Sequence, residues 1–101
     1  METRIAVIGI IVEDKSQADQ VNGLLHQYGS WIIGRMGLPY PKKQVNIISV
    51  VLDAPADVIS ALSGKLGRLP GVSSKALYTK AREEQAAGEM AGREKPGGEQ
   101  G

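Results

Sequence analysis

Two stretches of the chain are apolar at nearly every position. Residues 4–13, RIAVIGIIVE, and residues 44–53, QVNIISVVLD, are rich in isoleucine and valine. Their β-branched content and their length favour strands over helices. Because strand side chains alternate between two faces, each of these strands would be mostly apolar on both faces. The pattern therefore predicts two buried strands at the centre of a sheet.

A helical pattern follows each of these strands. After the first strand, apolar residues recur at helical spacing, at Ala18, Val21, Leu25 and Tyr28. After the second strand, a longer apolar stripe consists of Val58, Ile59, Leu62, Leu66 and Leu69. We expect Ser16 to cap the first helix and Gly29 to end it. We expect Asp53 to cap the second helix, with Pro55 in its first turn.

Two further strands are predicted to be more polar than the first two. Residues 30–38 form one of them, interrupted by Gly34 and Gly37, and we expect residues 39–43, PYPKK, to form a turn because of their prolines. Residues 72–80, VSSKALYTK, form the last strand, and their polar character is typical of a sheet edge.

The element order is βαββαβ, which consists of two split β-α-β units. Right-handed crossovers give an α+β fold with a four-stranded antiparallel sheet in the order 4-1-3-2 and two helices on one face. We assign residues 1–80 to this one domain. Residues 81–101 have almost no large apolar side chains, so we expect a disordered polar tail.

This topology leaves one face of the central strands without helical cover although its residues are aliphatic. A large exposed apolar patch usually marks an association surface. We therefore expect a homodimer or homotetramer formed by sheet-to-sheet or edge-to-edge contact. The residues that we assign to the interface share one face of strands 1 and 3: Ile8, Ile10, Val12, Ile48, Val50 and Leu52.

The composition excludes several kinds of chemistry. The chain has no cysteine, which excludes disulfides, thiol catalysis and cysteine-ligated metals. His26 is the single histidine, so we interpret it as a solvated helix residue and expect no metal and no cofactor. The alternative, a carboxylate site at Glu13, Asp14 and Asp19, uses residues that equally suit a loop and a helix start.

Catalysis and membrane insertion find no support in the sequence. There is no G-x-S-x-G elbow and no partner for a histidine base, so we expect a protein that is not an enzyme. The N-terminus lacks the pattern of a signal peptide, and no apolar run approaches the roughly 20 residues that cross a membrane. We therefore expect a cytoplasmic protein.

The stretch WIIGRMGLPY offers two candidate functions. Its Gly34-Arg-Met-Gly37 resembles the backbone clamp of RNA-binding KH modules. That clamp needs a helix on each side, and Pro39 and Pro41 forbid the second helix. We therefore favour a bulge or a close backbone approach on an edge strand. Arg35, Gly37 and Tyr40 remain our candidates for holding an anion or small ligand.

Direct binding of nucleic acid is the main alternative function. The basic residues that would serve it are Lys42, Lys43, Lys65 and Arg68. The net charge of the chain is only +1. That value lacks the strong basic bias of a dedicated nucleic-acid binder, so we expect these side chains to be solvated surface.

Three runs of the sequence resemble a known family. TRIAVIGIIVED, LLHQYGSWIIGRMGLPY and NIISVVLDAPADVISALSGKLGRLPGV are similar to the small iron-only ([FeFe]) hydrogenase system regulators, over about residues 1–80. The resemblance implies a ferredoxin-like fold, similar to ACT domains and to the C-terminal domain of nickel-responsive regulators. It also implies an oligomeric, non-enzymatic regulator that acts through a small-molecule effector or a hydrogenase-maturation protein.

The sequence departs from the relatives of that family in three respects. It lacks the histidines and the cysteine with which nickel-responsive regulators bind metal, so we carry over no metal site. Residues 13–16, Glu-Asp-Lys-Ser, replace the glycine-containing turn of amino-acid-binding ACT domains. No helix-turn-helix pattern is present, so we expect no direct contact with nucleic acid through such a domain.

Overall fold

The computed structural model describes residues 2–79. The elements follow the predicted order: β1 Arg4–Val12, α1 Ala18–Gln27, β2 Ile32–Tyr40, β3 Val45–Ala54, α2 Ala56–Gly67 and β4 Val72–Tyr78. Single 3₁₀ turns at Lys15–Gln17 and Gly29–Trp31 flank α1. The predicted tail, residues 81–101, and the last predicted strand residue, Lys80, lie outside the described residues.

The four strands form one antiparallel sheet in the order β2-β3-β1-β4. This is the predicted order 4-1-3-2 read from the other edge, and the α+β ferredoxin-like fold is confirmed. The central pair is in register along its whole length, from Arg4 opposite Ala54 to Val12 opposite Asn46. The two most apolar strands therefore lie at the centre, as their sequences predict.

Alternate residues of the central strands form the core beneath the two helices. The even-numbered side chains of β1, from Ala6 to Val12, are buried. They pack against apolar side chains of α1 and α2, namely Val21, Leu25, Ile59, Leu62 and Leu66. Burying one such aliphatic side chain contributes about 1.5–3 kcal/mol relative to leaving it exposed. This layer thus contributes substantially to the stability of the described fold.

The residues that the sequence analysis assigned to the oligomer interface lie on the face that the helices cover. They were therefore assigned to the wrong face of the sheet. The five that are fully buried are Ile8, Ile10, Val12, Val50 and Leu52. Ile48 is half-buried and packs against the same core. Both faces are apolar, so hydrophobicity alone did not distinguish them. Gly9, Ser49 and Asp53 interrupt the odd-numbered face, and that signal identifies it as the uncovered one.

The helix caps also differ from the predicted ones. Asp14, rather than Ser16, is the capping residue, and it caps the 3₁₀ turn Lys15–Gln17 that precedes α1. Its Oδ1 accepts hydrogen bonds from the Ser16 N–H at 3.0 Å and the Ser16 hydroxyl at 2.6 Å. These bonds favour the charged carboxylate and lower the pKa of Asp14. At α2 the cap position belongs to Pro55, whereas Asp53 remains within β3.

Strand β2 runs two residues further than predicted, through Pro39 to Tyr40. Pro39 is opposite Asn46 in the ladder. An edge strand tolerates proline because one side of its backbone needs no ladder hydrogen bond. The turn is correspondingly shorter, and it ends at Gln44, whose φ of 57° is left-handed.

Candidate functional site

The face of the sheet opposite the helices is mainly apolar and is interrupted by Gly9, Ser49 and Asp53; we call it the uncovered face. On this face of the central strands β1 and β3, Val7 is opposite Val51 and Ile11 is opposite Ile47. More than a third of each of the following apolar side chains is exposed across it: Ile5, Val7, Ile11, Met36, Leu38, Tyr40, Ile47 and Leu77. These residues are odd-numbered on β1 and β3 and align across β2 and β4 through the ladder register. No described helix covers them.

The middle of the uncovered face is a shallow depression centred on Gly9. Gly9 lies opposite Ser49 on β3 and Lys75 on β4. A Cβ at Gly9 would meet nothing within 4 Å, so the missing side chain leaves open space. Ile11 and Ile47 form one wall of the depression, which has a volume of about 360 Å³. A side chain of another molecule could enter here.

A second concave site lies on the helix side of the sheet, between α1 and strands β2 and β3. We call it the Arg35 groove. The Arg35 Nη2 donates a hydrogen bond to Asn22 Oδ1 of α1 at 3.1 Å, which links the helix to the edge strand. The groove has a volume of about 360 Å³. Its walls include Val12, Ala18, Val21, Asn22, Gly37, Asn46 and Ile48.

Two of the three predicted ligand residues lie in this groove and the third does not. Arg35 and Gly37 are opposite Val50 and Ile48, on the helix-covered face. Tyr40 is opposite Val45, on the uncovered face. Residues five apart in a strand point to opposite faces, so the grouping of Tyr40 with Arg35 is wrong as a matter of geometry. The structure adds Asn22 and Asn46 instead.

The G-x-x-G of the sequence is a strand feature. Gly34 and Gly37 both lie within β2, and no helix borders them directly. The ladder shifts register between Ile32 and Gly34, so Ile33 is the extra residue of a bulge. The predicted bulge is therefore confirmed, and the clamp hypothesis is wrong because its helix–loop–helix frame is absent from this part of the chain.

The predicted basic residues are spread over two loops and a helix. Lys42 and Lys43 lie in the β2–β3 turn, and Arg68 is the C-cap of α2. Lys65 donates from Nζ to Tyr28 Oη at 2.8 Å, and its ammonium lies 5.1 Å from the centroid of that ring. One of the four charges is thus engaged by Tyr28. Direct nucleic-acid binding remains the untested alternative.

No metal site is apparent among residues 2–79. Within that range, no three histidine or carboxylate side chains are close enough to hold an ion. His26 is exposed on α1. Asp14 of the candidate carboxylate set already accepts two hydrogen bonds from Ser16.

Comparison with known families identifies the chain. Residues 4–76, which include all of the sheet except the end of β4, match the family described as "TM1266-like: Iron-only hydrogenase system regulator, putative". The chain belongs to this family. The match spans the Arg35 groove and the uncovered face apart from Leu77.

A solved structure of the family supports the assignment. The chain is similar to the uncharacterised protein TM1266 from Thermotoga maritima, with 39% sequence identity and a TM-score of 0.75. The similarity covers 78% of this chain and 100% of the Thermotoga chain. A search of curated proteins gave no match. Among the described residues of this family member, no helix is long and apolar enough to cross a membrane.

Proposed function

We propose that this chain is a cytoplasmic, non-enzymatic regulatory module of the iron-only hydrogenase system, which acts as an oligomer through a small ligand or a hydrogenase-maturation protein. Membership of a family described as a regulator of that system supports the biological setting. The uncovered face supports association, and the Arg35 groove supports a ligand. Arg35 lies on the helix side of the sheet, opposite the uncovered face, although Leu38 and Ile47 of that face also border the groove.

The uncovered face is the observation that carries the proposal. Monomeric proteins rarely leave more than a few hundred Å² of continuous apolar surface exposed. Each 100 Å² removed from water contributes about 2.5 kcal/mol. Two copies that shield several hundred Å² each would thus offset the estimated ~4–15 kcal/mol cost of association. A second copy of the chain is the occupant that we favour, because it brings a matching apolar surface.

A genetic experiment tests the regulatory role. We expect deletion of the gene to change iron-only hydrogenase activity in cells that produce this enzyme, and we expect the wild-type gene to restore it. A variant that cannot associate, Ile11→Lys, should fail to restore it. Hydrogenase activity that stays the same after deletion, under conditions that induce the hydrogenase, would contradict the proposed function.

A further inference from the structure

The Arg35 groove carries one charge and no counter-charge. Arg35 is the only ionisable side chain among the residues that line it. A guanidinium has five N–H donors, and Arg35 makes one hydrogen bond, to Asn22, within residues 2–79. Most of its donors are therefore free for a ligand. A planar fork of this kind matches the two oxygens of a carboxylate.

Asn46 supplies a second polar group in the same groove. It lies near the start of β3, where it is half-buried and lines the groove. Its side-chain amide has no hydrogen-bond partner among the described residues. Its N–H groups are accessible to water in the free protein, and a ligand with an oxygen acceptor can replace that water.

Apart from Asn22, the other side chains that line the groove are apolar. Val21 of α1 and Ile48 of β3 form its inner part, and Gly37 keeps it open because a Cβ there would meet nothing within 4 Å. The volume of about 360 Å³ lies at the small end of the range of ligand pockets. A ligand that fits would have one anionic end and a short apolar body.

We propose that the Arg35 groove binds a short-chain aliphatic monocarboxylate, with its carboxylate at Arg35 and Asn46 and its apolar chain against Val21 and Ile48. No carboxylate side chain lines the groove, so an ammonium group on the ligand would lack a counter-charge. The groove therefore selects a simple organic acid over the corresponding amino acid. This inference deepens the proposed function and rests on it, because it names the class of effector.

Titration with three probes tests the ligand class. We would add 4-methylpentanoate, leucine and inorganic phosphate to the ¹⁵N-labelled full-length protein and record amide shifts by NMR. We expect saturable shifts at Gly37 and at the Asn46 side chain with 4-methylpentanoate, and at least roughly tenfold weaker binding of the other two. Equal or tighter binding of leucine or phosphate, or no saturable shift with the acid, would overturn the proposal.

Matched variants test the two ends of the site. Arg35→Met should weaken binding of 4-methylpentanoate by about 10-fold or more, as expected for the loss of a charge-assisted hydrogen bond. The control Arg68→Met removes the same charge from the end of α2 and should leave binding unchanged. If both variants bind as the wild type does, or lose affinity equally, the assignment of the carboxylate end to Arg35 is wrong.

The apolar end is tested by filling the groove. Gly37→Val should abolish binding, since the new side chain enters open space on the helix side of β2. Gly34→Val is the control on the opposite face of the same strand and should bind normally. Circular dichroism establishes that each variant is folded, and Arg35→Met provides a separate test if a valine variant is not. Equal binding by the two valine variants would overturn the placement.

The failure of this inference can be told apart from the failure of the proposed function. A protein that binds none of the acids, but whose deletion still changes hydrogenase activity, refutes the ligand class alone. Unchanged hydrogenase activity after deletion refutes the regulatory role, whatever the groove binds.

Discussion

Ile11 and Ile47 are directly opposite each other across β1 and β3 on the uncovered face, and 44% and 36% of their respective side chains are exposed. The two strands are the central ones of an antiparallel sheet, whose solvent-facing side is normally polar, whereas this pair is aliphatic. The helices cover only the even-numbered side of β1. This central pair is therefore a point at which a second copy of the chain would bury aliphatic surface.

Replacing Ile11 with lysine should prevent the proposed self-association while the subunit remains folded. The side chain is exposed in the single chain, so folding requires little desolvation of the new charge. At an apolar interface the unpaired charge would be costly. We expect the dissociation constant to rise by at least about 100-fold, equivalent to about 2.7 kcal/mol, as measured by sedimentation equilibrium.

Ile33→Lys is the matched control for this variant. Ile33 is 64% exposed, but it is the bulge residue of the edge strand β2 and has no partner in the ladder. Its substitution should leave the subunit number unchanged. If both lysine variants keep the oligomer intact, the uncovered face is not its interface.

Gly71→Ala should destabilise the fold by about 2 kcal/mol or more. Gly71 has φ of +67°, which costs an L residue about 1–2 kcal/mol. A Cβ there would also lie 2.6 Å from Asp14 Cβ, because the β1–α1 loop is bonded to this turn through the Glu13 N–H and the Gly71 carbonyl at 2.7 Å. Urea denaturation measures the loss.

Substitution of a second glycine is a control for which we expect the opposite effect, a gain in stability. Gly23 lies within α1, and a Cβ there would meet nothing within 4 Å. Gly23→Ala should therefore stabilise the protein by about 0.5–1 kcal/mol. A neutral effect of Gly71→Ala beside this gain would contradict the described turn.

Asp14 should make stability depend on pH below about 4. Its hydrogen bonds from the Ser16 side chain and backbone depress the pKa in the folded state below the ordinary value of 3.8. A depressed pKa contributes stability that is present above the unfolded-state value and is lost as pH falls through the folded-state value. Asp14→Asn should flatten this part of the profile of unfolding free energy against pH. A profile identical to that of the wild type would show that Asp14 has no such role.

The contact between Lys65 and Tyr28 should couple the two helices. Tyr28→Phe removes the oxygen that accepts from the ammonium at 2.8 Å but keeps the ring beside it. We expect a loss of about 1 kcal/mol in the free energy of unfolding. A double-mutant cycle with Lys65→Met isolates the pair, and additive effects would mean that the contact contributes nothing.

The element types and the strand order follow from the sequence because its strongest patterns are local. Isoleucine and valine at both odd and even positions of a strand make both of its faces apolar, which indicates a buried central strand. Polar or glycine-rich strands fit the edges. Which face receives the helices depends on tertiary packing, and the six interface residues were assigned to the wrong side. The glycine, serine and aspartate at positions 9, 49 and 53 carried the missing information.

The candidate ligand site was only partly predictable for a similar reason. Arg35 and Gly37 are two residues apart in one strand and share a face, whereas Tyr40 is five residues from Arg35 and lies on the opposite face. Asn22 lies 13 residues before Arg35, and Asn46 lies beyond a turn. Neither asparagine has a sequence motif that points to a ligand, so only the folded chain brings them into the same groove as Arg35.

The number of copies in the assembly tests the central claim most directly. Native mass spectrometry of the purified full-length protein should detect a species of two or four copies of the 10.7 kDa chain. A folded protein that stays at the mass of a single chain when concentrated would contradict the account, because its central aliphatic pairs would then be permanently in contact with water.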